Sequence, residues 1–188
     1  MKYYLPVGAW PLNTTYYTEF MNRLGYKLVE SAQDADFLLL PGGTDIGLNE
    51  SRDTSETDSY SQFANDNKPV IGICRGMQFI LNANGSRIIS HIPDVLNEIS
   101  HTTVTGHWTG ESSWHKTELG LYTNSRHHQG FLKAPDKWEV IDKTEDGIIE
   151  AVEYEKQFGV QWHPELTEMN GTPAQDWFIF KMEQILKK

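Results

Sequence analysis

One stretch limits the folds open to this chain more than any other: Val70-Ile71-Gly72-Ile73-Cys74-Arg75-Gly76-Met77-Gln78. Val70 to Ile73 are apolar and mostly β-branched, the composition of a buried strand. Met77, Ile80 and Leu81 follow at helical spacing, so a helix is expected over residues 75–84 with Gly85 as its stop. Strand and helix leave no room for a loop between them. The chain must turn sharply, and Gly72 and Gly76 flank the turn at G-x-C-x-G spacing. This is a nucleophile elbow with sulfur in place of oxygen, which holds one side chain up at the carboxyl end of a sheet. Cys74, the only cysteine among 188 residues, takes that place. A lone cysteine after an apolar strand is more often a buried structural residue. The two glycines favour a reactive thiol instead. A helix N-terminus stabilises a thiolate, and its N–H groups can hold an oxyanion.

Around the elbow, apolar runs alternate with helical stretches. That pattern predicts a three-layer α/β/α fold with a mostly parallel, flavodoxin-like central sheet and helices on both faces. Strands are expected near residues 2–7 and 27–30, and at Phe37–Leu40, which runs into Pro41-Gly42-Gly43. One helix is expected over residues 15–24, with Tyr16, Phe20 and Leu24 on one face. Another is expected over 56–65, after a polar stretch. Residues 86–125 are polar with short β-like pieces, expected to form a small antiparallel extension. Three strands are expected at 139–141, 148–152 and 158–162, with Asp146-Gly147 as a hairpin turn between the first two. Residues 172–187 read as a closing helix with Pro173 in its first turn. The length suits one domain over residues 1–188.

Composition excludes several classes of function. Hydrophobic residues at 38% and aromatics at 12% make a folded core, not a disordered chain. No apolar run approaches the ~20 residues of a membrane span. A net charge of -10 argues against nucleic acid or an anionic membrane as partner. A single cysteine allows no intrachain disulfide and suits a reducing compartment, so a cytoplasmic location is expected. Gly42-Gly43 is not a phosphate loop, because no Gly-Lys-Ser/Thr follows.

His163-Pro164-Glu165 follows the last expected strand. In an extended segment, His163 and Glu165 point to the same side. A histidine there can serve as base to a thiol, and a carboxylate can orient its imidazole. Alone, the tripeptide suits a surface loop. Beside a cysteine elbow, it completes a candidate triad of Cys74, His163 and Glu165. His91, His101, His107 and His115, with Glu111 nearby, invite a metal reading. Their spacing is irregular and matches no zinc pattern, so they read as solvated loop histidines and no metal is expected. Trp108 and Trp114 flank a polar loop, either covering a pocket, stacking on a leaving group, or packing under the loop. The acidic run from Glu50 to Asp58 reads as a solvated loop and helix start.

Five segments together resemble the class I glutamine amidotransferase superfamily, closest to its gamma-glutamyl hydrolase (gamma-glutamyl-gamma-aminobutyrate hydrolase-like) branch. They are Leu40-Pro41-Gly42-Gly43-Thr44-Asp45-Ile46, Arg52-Asp53-x-x-Glu56, the Cys74 segment, Asn124-Ser125-Arg126-His127-His128-Gln129, and Phe158-Gly159-Val160-Gln161-Trp162-His163-Pro164-Glu165. They come in the family's order and span most of the chain. The resemblance implies Cys74 as nucleophile, His163 as base and later acid, and Glu165 as orienter. It implies an oxyanion hole from the backbone N–H groups of Gly43 and Arg75. It implies that Gln78, His127, His128 and Gln129 contact a small gamma-glutamyl substrate. No cofactor is implied. Arg75 and the 124–129 segment point to a hydrolase acting through a gamma-glutamyl thioester. The shared core also allows a glutaminase subunit that feeds ammonia to a separate synthase, and a homo-oligomer is equally open. The segments between Asp45 and Arg52 and between His115 and Asn124 are shorter than in that branch, and both are expected at the pocket mouth.

Overall fold

The computed structural model describes residues 1–6, 11–92, 95 and 113–188. Along the described chain run β1 (Lys2–Tyr4), α1 (Pro11–Arg23), β2 (Lys27–Val29), β3 (Phe37–Leu40), α2 (Glu50–Asn65), β4 (Val70–Ile73) and α3 (Arg75–Ala83). There follow β5 (Ser113–Lys116), β6 (Tyr122–Ser125), β7 (Glu139–Lys143), β8 (Ile149–Tyr154), β9 (Gln157–Val160) and α4 (Pro173–Leu186). Val7, His101, His107, Trp108 and Glu111 lie outside the described residues.

Seven strands form the central sheet in the order β2-β1-β3-β4-β9-β8-β7, while β5 and β6 pair separately. From β2 to β9 all neighbours are parallel; β8 and β7 add an antiparallel edge. Strand alternation divides the core. Phe37 and Leu39 of β3, with Ile71 and Ile73 of β4, pack with Tyr17, Phe20 and Met21 of α1 and Phe178, Met182 and Ile185 of α4. Leu38, Leu40 and Val70 face the other way, onto Phe63 of α2 and Met77, Ile80 and Leu81 of α3. The inner strands read as unbroken apolar runs because helices cover both faces. The expected three-layer α/β/α architecture is the one observed.

Two helices depart from expectation. In α1 the buried face is Tyr17, Phe20 and Met21, while Tyr16 is exposed. In α2 the helix begins at Glu50, well before the expected start at Glu56. Asn49 caps it, its side-chain oxygen accepting the Arg52 N–H at 3.1 Å. The acidic run is therefore helical. Its buried face, Arg52, Glu56, Ser59 and Phe63, carries one apolar residue, so no apolar stripe announces it. Among the described residues no helix is long and apolar enough to cross a membrane.

The topology also gathers the candidate site residues. β3, β4 and β9 are adjacent and parallel, so their carboxyl ends meet at one edge. That edge receives residues 41–43 from β3, Cys74 from β4 and residues 161–165 from β9. Crevices at the carboxyl ends of such strands are where open α/β sheets bind ligands.

Candidate active site

Cys74 sits between β4 and α3 with φ 52° and ψ -110°. A non-glycine residue in this region is strained, and such strain persists where the surroundings over-determine it. Here the backbone is pinned on both sides. The Cys74 N–H donates to the Val160 carbonyl at 2.8 Å, and the Cys74 carbonyl accepts from the Gln78 N–H at 3.1 Å. Gly76 explains the second glycine of the motif: a Cβ there would lie 2.0 Å from the Leu40 carbonyl oxygen. The first turn of α3 can press this closely on β3 only without a side chain. Arg75 opens α3, so its backbone N–H is among the four that lack an intrahelical acceptor.

His163 and Glu165 come together as alternation predicts. His163 Nδ1 lies 2.7 Å from Glu165 Oε1. A carboxylate accepts, so this contact places the ring hydrogen on Nδ1 and turns Nε2 to other work. Burial disfavours the charged ring, but the Glu165 carboxylate, the charge on Cys74 and hydrogen bonds to both outweigh it and hold the His163 pKa well above its usual range. The His163 backbone is clamped as well. Asn124 Oδ1 accepts its N–H at 2.9 Å, and Asn124 Nδ2 donates to its carbonyl at 3.2 Å. Gln175 Nε2 donates to the Pro164 carbonyl at 2.7 Å.

Two neighbours were not singled out from the sequence. Tyr17 accepts the Gly42 N–H at 2.8 Å. Burial, then the nearby Glu165 and Cys74 charges, push its hydroxyl pKa well up, so it stays protonated. No motif surrounds Tyr17, and only the docking of α1 brings it in. Gln161 donates from Nε2 towards Cys74 Sγ at 3.6 Å. Its signal was available, since alternation puts residues 161, 163 and 165 on one side.

The loop after β3 leans over this group. A Cβ at Gly42 would lie 2.8 Å from His163 Cε1 and 3.4 Å from Cys74 Cβ. Gly43 has φ +152°, and a Cβ there would stand 2.0 Å from Arg52 Nη1. Arg52 reaches the loop from α2, donating from Nη2 to the carbonyls of Pro41 and Gly42, each at 3.0 Å. Its Nε donates to Glu56 Oε1 at 2.8 Å. The other oxygen of Glu56 accepts from Arg75, whose second terminal nitrogen pairs with Asp53. Two guanidinium groups and two carboxylates thus balance in a mostly buried network, the condition under which buried charge is tolerated.

The remaining expected residues lie deeper. Gln78 is buried, and its Nε2 donates to the Gln129 carbonyl and to Gln161 Oε1, each at 3.1 Å. The Gln129 carbonyl also meets His127 Nδ1 at 2.9 Å. His127 turns its Nε2 towards Glu150, 3.7 Å away. His128 Nε2 lies 3.1 Å from both oxygens of Asp45, and its Nδ1 is 3.3 Å from His91. His115 corrects the reading of a solvated loop: it is 8% exposed on β5, with Nε2 3.3 Å from Glu150 Oε2. Trp114, its neighbour on β5, is 44% exposed.

The sequence profile of the family described as Peptidase C26 matches residues 27–165. A protein of Rickettsia prowazekii described as glutamine amidotransferase-like is 25% identical over 91% of this chain and 82% of its own length. The pyridoxal 5'-phosphate synthase subunit PdxT of Methanocaldococcus jannaschii is 27% identical over 90% of this chain and 91% of its own. Among solved structures, a Thermoplasma acidophilum protein described as belonging to a GMP synthase superposes with a TM-score of 0.69 at 18% identity. That match covers all of this chain and 94% of the other. At this identity the likeness is one of fold.

Proposed function

Because the chain belongs to the peptidase C26 family, we propose that it is a cysteine-dependent amidase that cleaves the gamma-glutamyl amide bond of a small compound and releases glutamate and an amine. The observation that carries this reading is the pairing of His163 Nδ1 with Glu165 at 2.7 Å beside a cysteine on a strained elbow.

In this reading the Cys74 thiolate attacks the gamma-carbonyl carbon, forming a C–S bond and a tetrahedral oxyanion. The backbone N–H groups of Gly43 and Arg75 hold that oxyanion. His163, charged at rest, gives its proton to the nitrogen of the leaving amine as the C–N bond breaks. A gamma-glutamyl thioester remains on Cys74. His163 then takes a proton from water, and the hydroxide equivalent attacks the thioester. The thiolate is expelled, glutamate leaves, and His163 keeps the proton for the next cycle. The raised His163 pKa supports the charged resting pair, and the Nδ1 contact with Glu165 supports a ring orientation that leaves Nε2 for the sulfur. Gln78, His127, His128 and Gln129 would shape the substrate end of the site. The purified chain incubated with a panel of gamma-glutamyl amides tests the reading through release of free glutamate. Intact protein with no turnover on any member overturns it.

A second reading is a glutaminase subunit delivering ammonia to a separate synthase. Its support is the similarity, over nine-tenths of both chains, to a protein named as a pyridoxal 5'-phosphate synthase subunit. It predicts weak glutamine hydrolysis by the isolated chain and strong activation by a partner. Full activity alone on a non-glutamine amide decides against it.

A further inference from the structure

His115, His127 and Glu150 converge from three separate elements. His115 lies on β5, His127 just beyond β6, and Glu150 near the start of β8 in the central sheet. All three are buried, and their ligand-capable atoms lie within 4.8 Å of one another. We propose that His115 Nε2, His127 Nε2 and the Glu150 carboxylate form a binding site for one divalent first-row transition ion, with zinc the best match.

Three observations carry this. The first is the tautomer of His127. Its Nδ1 is 2.9 Å from the Gln129 carbonyl oxygen, which can only accept, so the hydrogen sits on Nδ1. That leaves Nε2 as the ring nitrogen turned towards Glu150. A carbonyl that fixes one ring nitrogen so that the other can ligate is the usual outer support of a metal-bound histidine. The second is spacing. His115 Nε2 is 3.3 Å from Glu150 Oε2, and His127 Nε2 is 3.7 Å from Glu150 Oε1. The three side chains therefore stand close enough for one ion at the ~2.0–2.2 Å ligand distances of zinc. The third is the donor set. Two imidazoles and one carboxylate suit zinc and its neighbours better than magnesium or calcium, which take oxygen ligands.

This departs from the expectation of no metal. Short spacing in sequence is what betrays most zinc sites, and no short spacing joins these three residues. The ion would tie the small β5–β6 sheet to β8. The Glu150 carbonyl accepts the Gln161 N–H at 2.8 Å, so the tie ends beside the strand that delivers His163. The proposal does not depend on the amidase reading, and its test uses no substrate.

The experiment strips the full chain with a chelator and titrates zinc by calorimetry. Cys74→Ser serves as a control, because a Cys-His pair is itself a zinc ligand set. The expected result is one zinc per chain in both proteins, with affinity at least about 100-fold weaker in Glu150→Gln and His127→Gln. Zinc should raise the melting temperature of Cys74→Ser and leave that of folded Glu150→Gln unchanged. Should those variants fail to fold, cobalt added to Cys74→Ser should give tetrahedral d–d bands without thiolate charge transfer. No stoichiometric zinc uptake by stripped protein overturns the proposal. So does uptake that disappears with Cys74→Ser but persists in His127→Gln, and so does a flat cobalt spectrum.

Discussion

Arg52 Nε donates to Glu56 Oε1 at 2.8 Å, one helical turn apart on the buried face of α2. Glu56 also holds Arg75, the residue that follows Cys74, and Arg52 also holds the Pro41-Gly42 carbonyls. Glu56 therefore links the first turn of α3 to Arg52, which holds the loop after β3. Glu56→Gln leaves two buried guanidinium groups short of a counter-charge. Breaking a buried pair from one side costs about 3–5 kcal/mol. The urea midpoint should fall accordingly, and an unchanged midpoint would show that the network carries no net stability.

The His163 pKa is raised in the folded protein. A raised histidine contributes stability that is fully present below its unfolded value, about 6.5, and is lost as pH rises through the folded value. The difference in unfolding free energy between the wild type and His163→Gln should be greatest at the acidic end and shrink as pH climbs past the raised value. A gap that widens with pH contradicts the sign. NMR titration of the ring should also show its pKa falling in Glu165→Gln, because a cause of the rise is gone.

Cys74→Ser should keep its fold by circular dichroism and lose at least about 10³-fold in kcat on any gamma-glutamyl amide the wild type cleaves. Mass spectrometry of the wild type quenched during turnover should find the gamma-glutamyl adduct on Cys74. Persistence of activity in the variant would remove the sulfur from the mechanism.

Asn124 brackets the His163 backbone from both sides. Asn124→Ala should let His163 drift relative to Cys74. Misplacement of that kind costs on the order of 10–100-fold in rate. The loss should fall on kcat with KM little changed, since the Asn124 side chain bonds the His163 backbone and, at 2.9 Å, Glu168 Oε1. A change confined to KM would assign Asn124 to substrate instead.

Gly76→Ala sets two effects against each other. Alanine gains about 1 kcal/mol in helix propensity. Overpacking typically costs about 1–3 kcal/mol, occasionally more. Here the new Cβ would meet backbone at 2.0 Å rather than a pliable side chain. The clash should win, and thermal unfolding should show a lower midpoint. A rise would mean that α3 can retreat from β3 freely.

The sequence made some of this plain and hid the rest for physical reasons. The Cys74 elbow was legible because strand, glycines and helix are contiguous, and each obeys a local rule. His163 and Glu165 were legible because alternation puts them on one side. The start of α2 was hidden because its buried face is ionic, and hydrophobic periodicity cannot report a helix that buries Arg52 and Glu56. Tyr17 was hidden because it enters the site from α1 through packing alone. His115 reads as solvated because its partner, Glu150, stands far along the chain on a strand of the other sheet.

The turnabout of direction at β9 has a practical consequence. Because β8 runs against β9, the turn at Glu155-Lys156 lies at the amino end of β9, the end remote from His163. The turn between β7 and β8 lies at the opposite edge, on the side of the site. Sequence drift, fused tags or a surface tether should be tolerated at the first hairpin and felt by the chemistry at the second. Of these two hairpins, the one at residues 155–156 is the handle farther from Cys74 and His163.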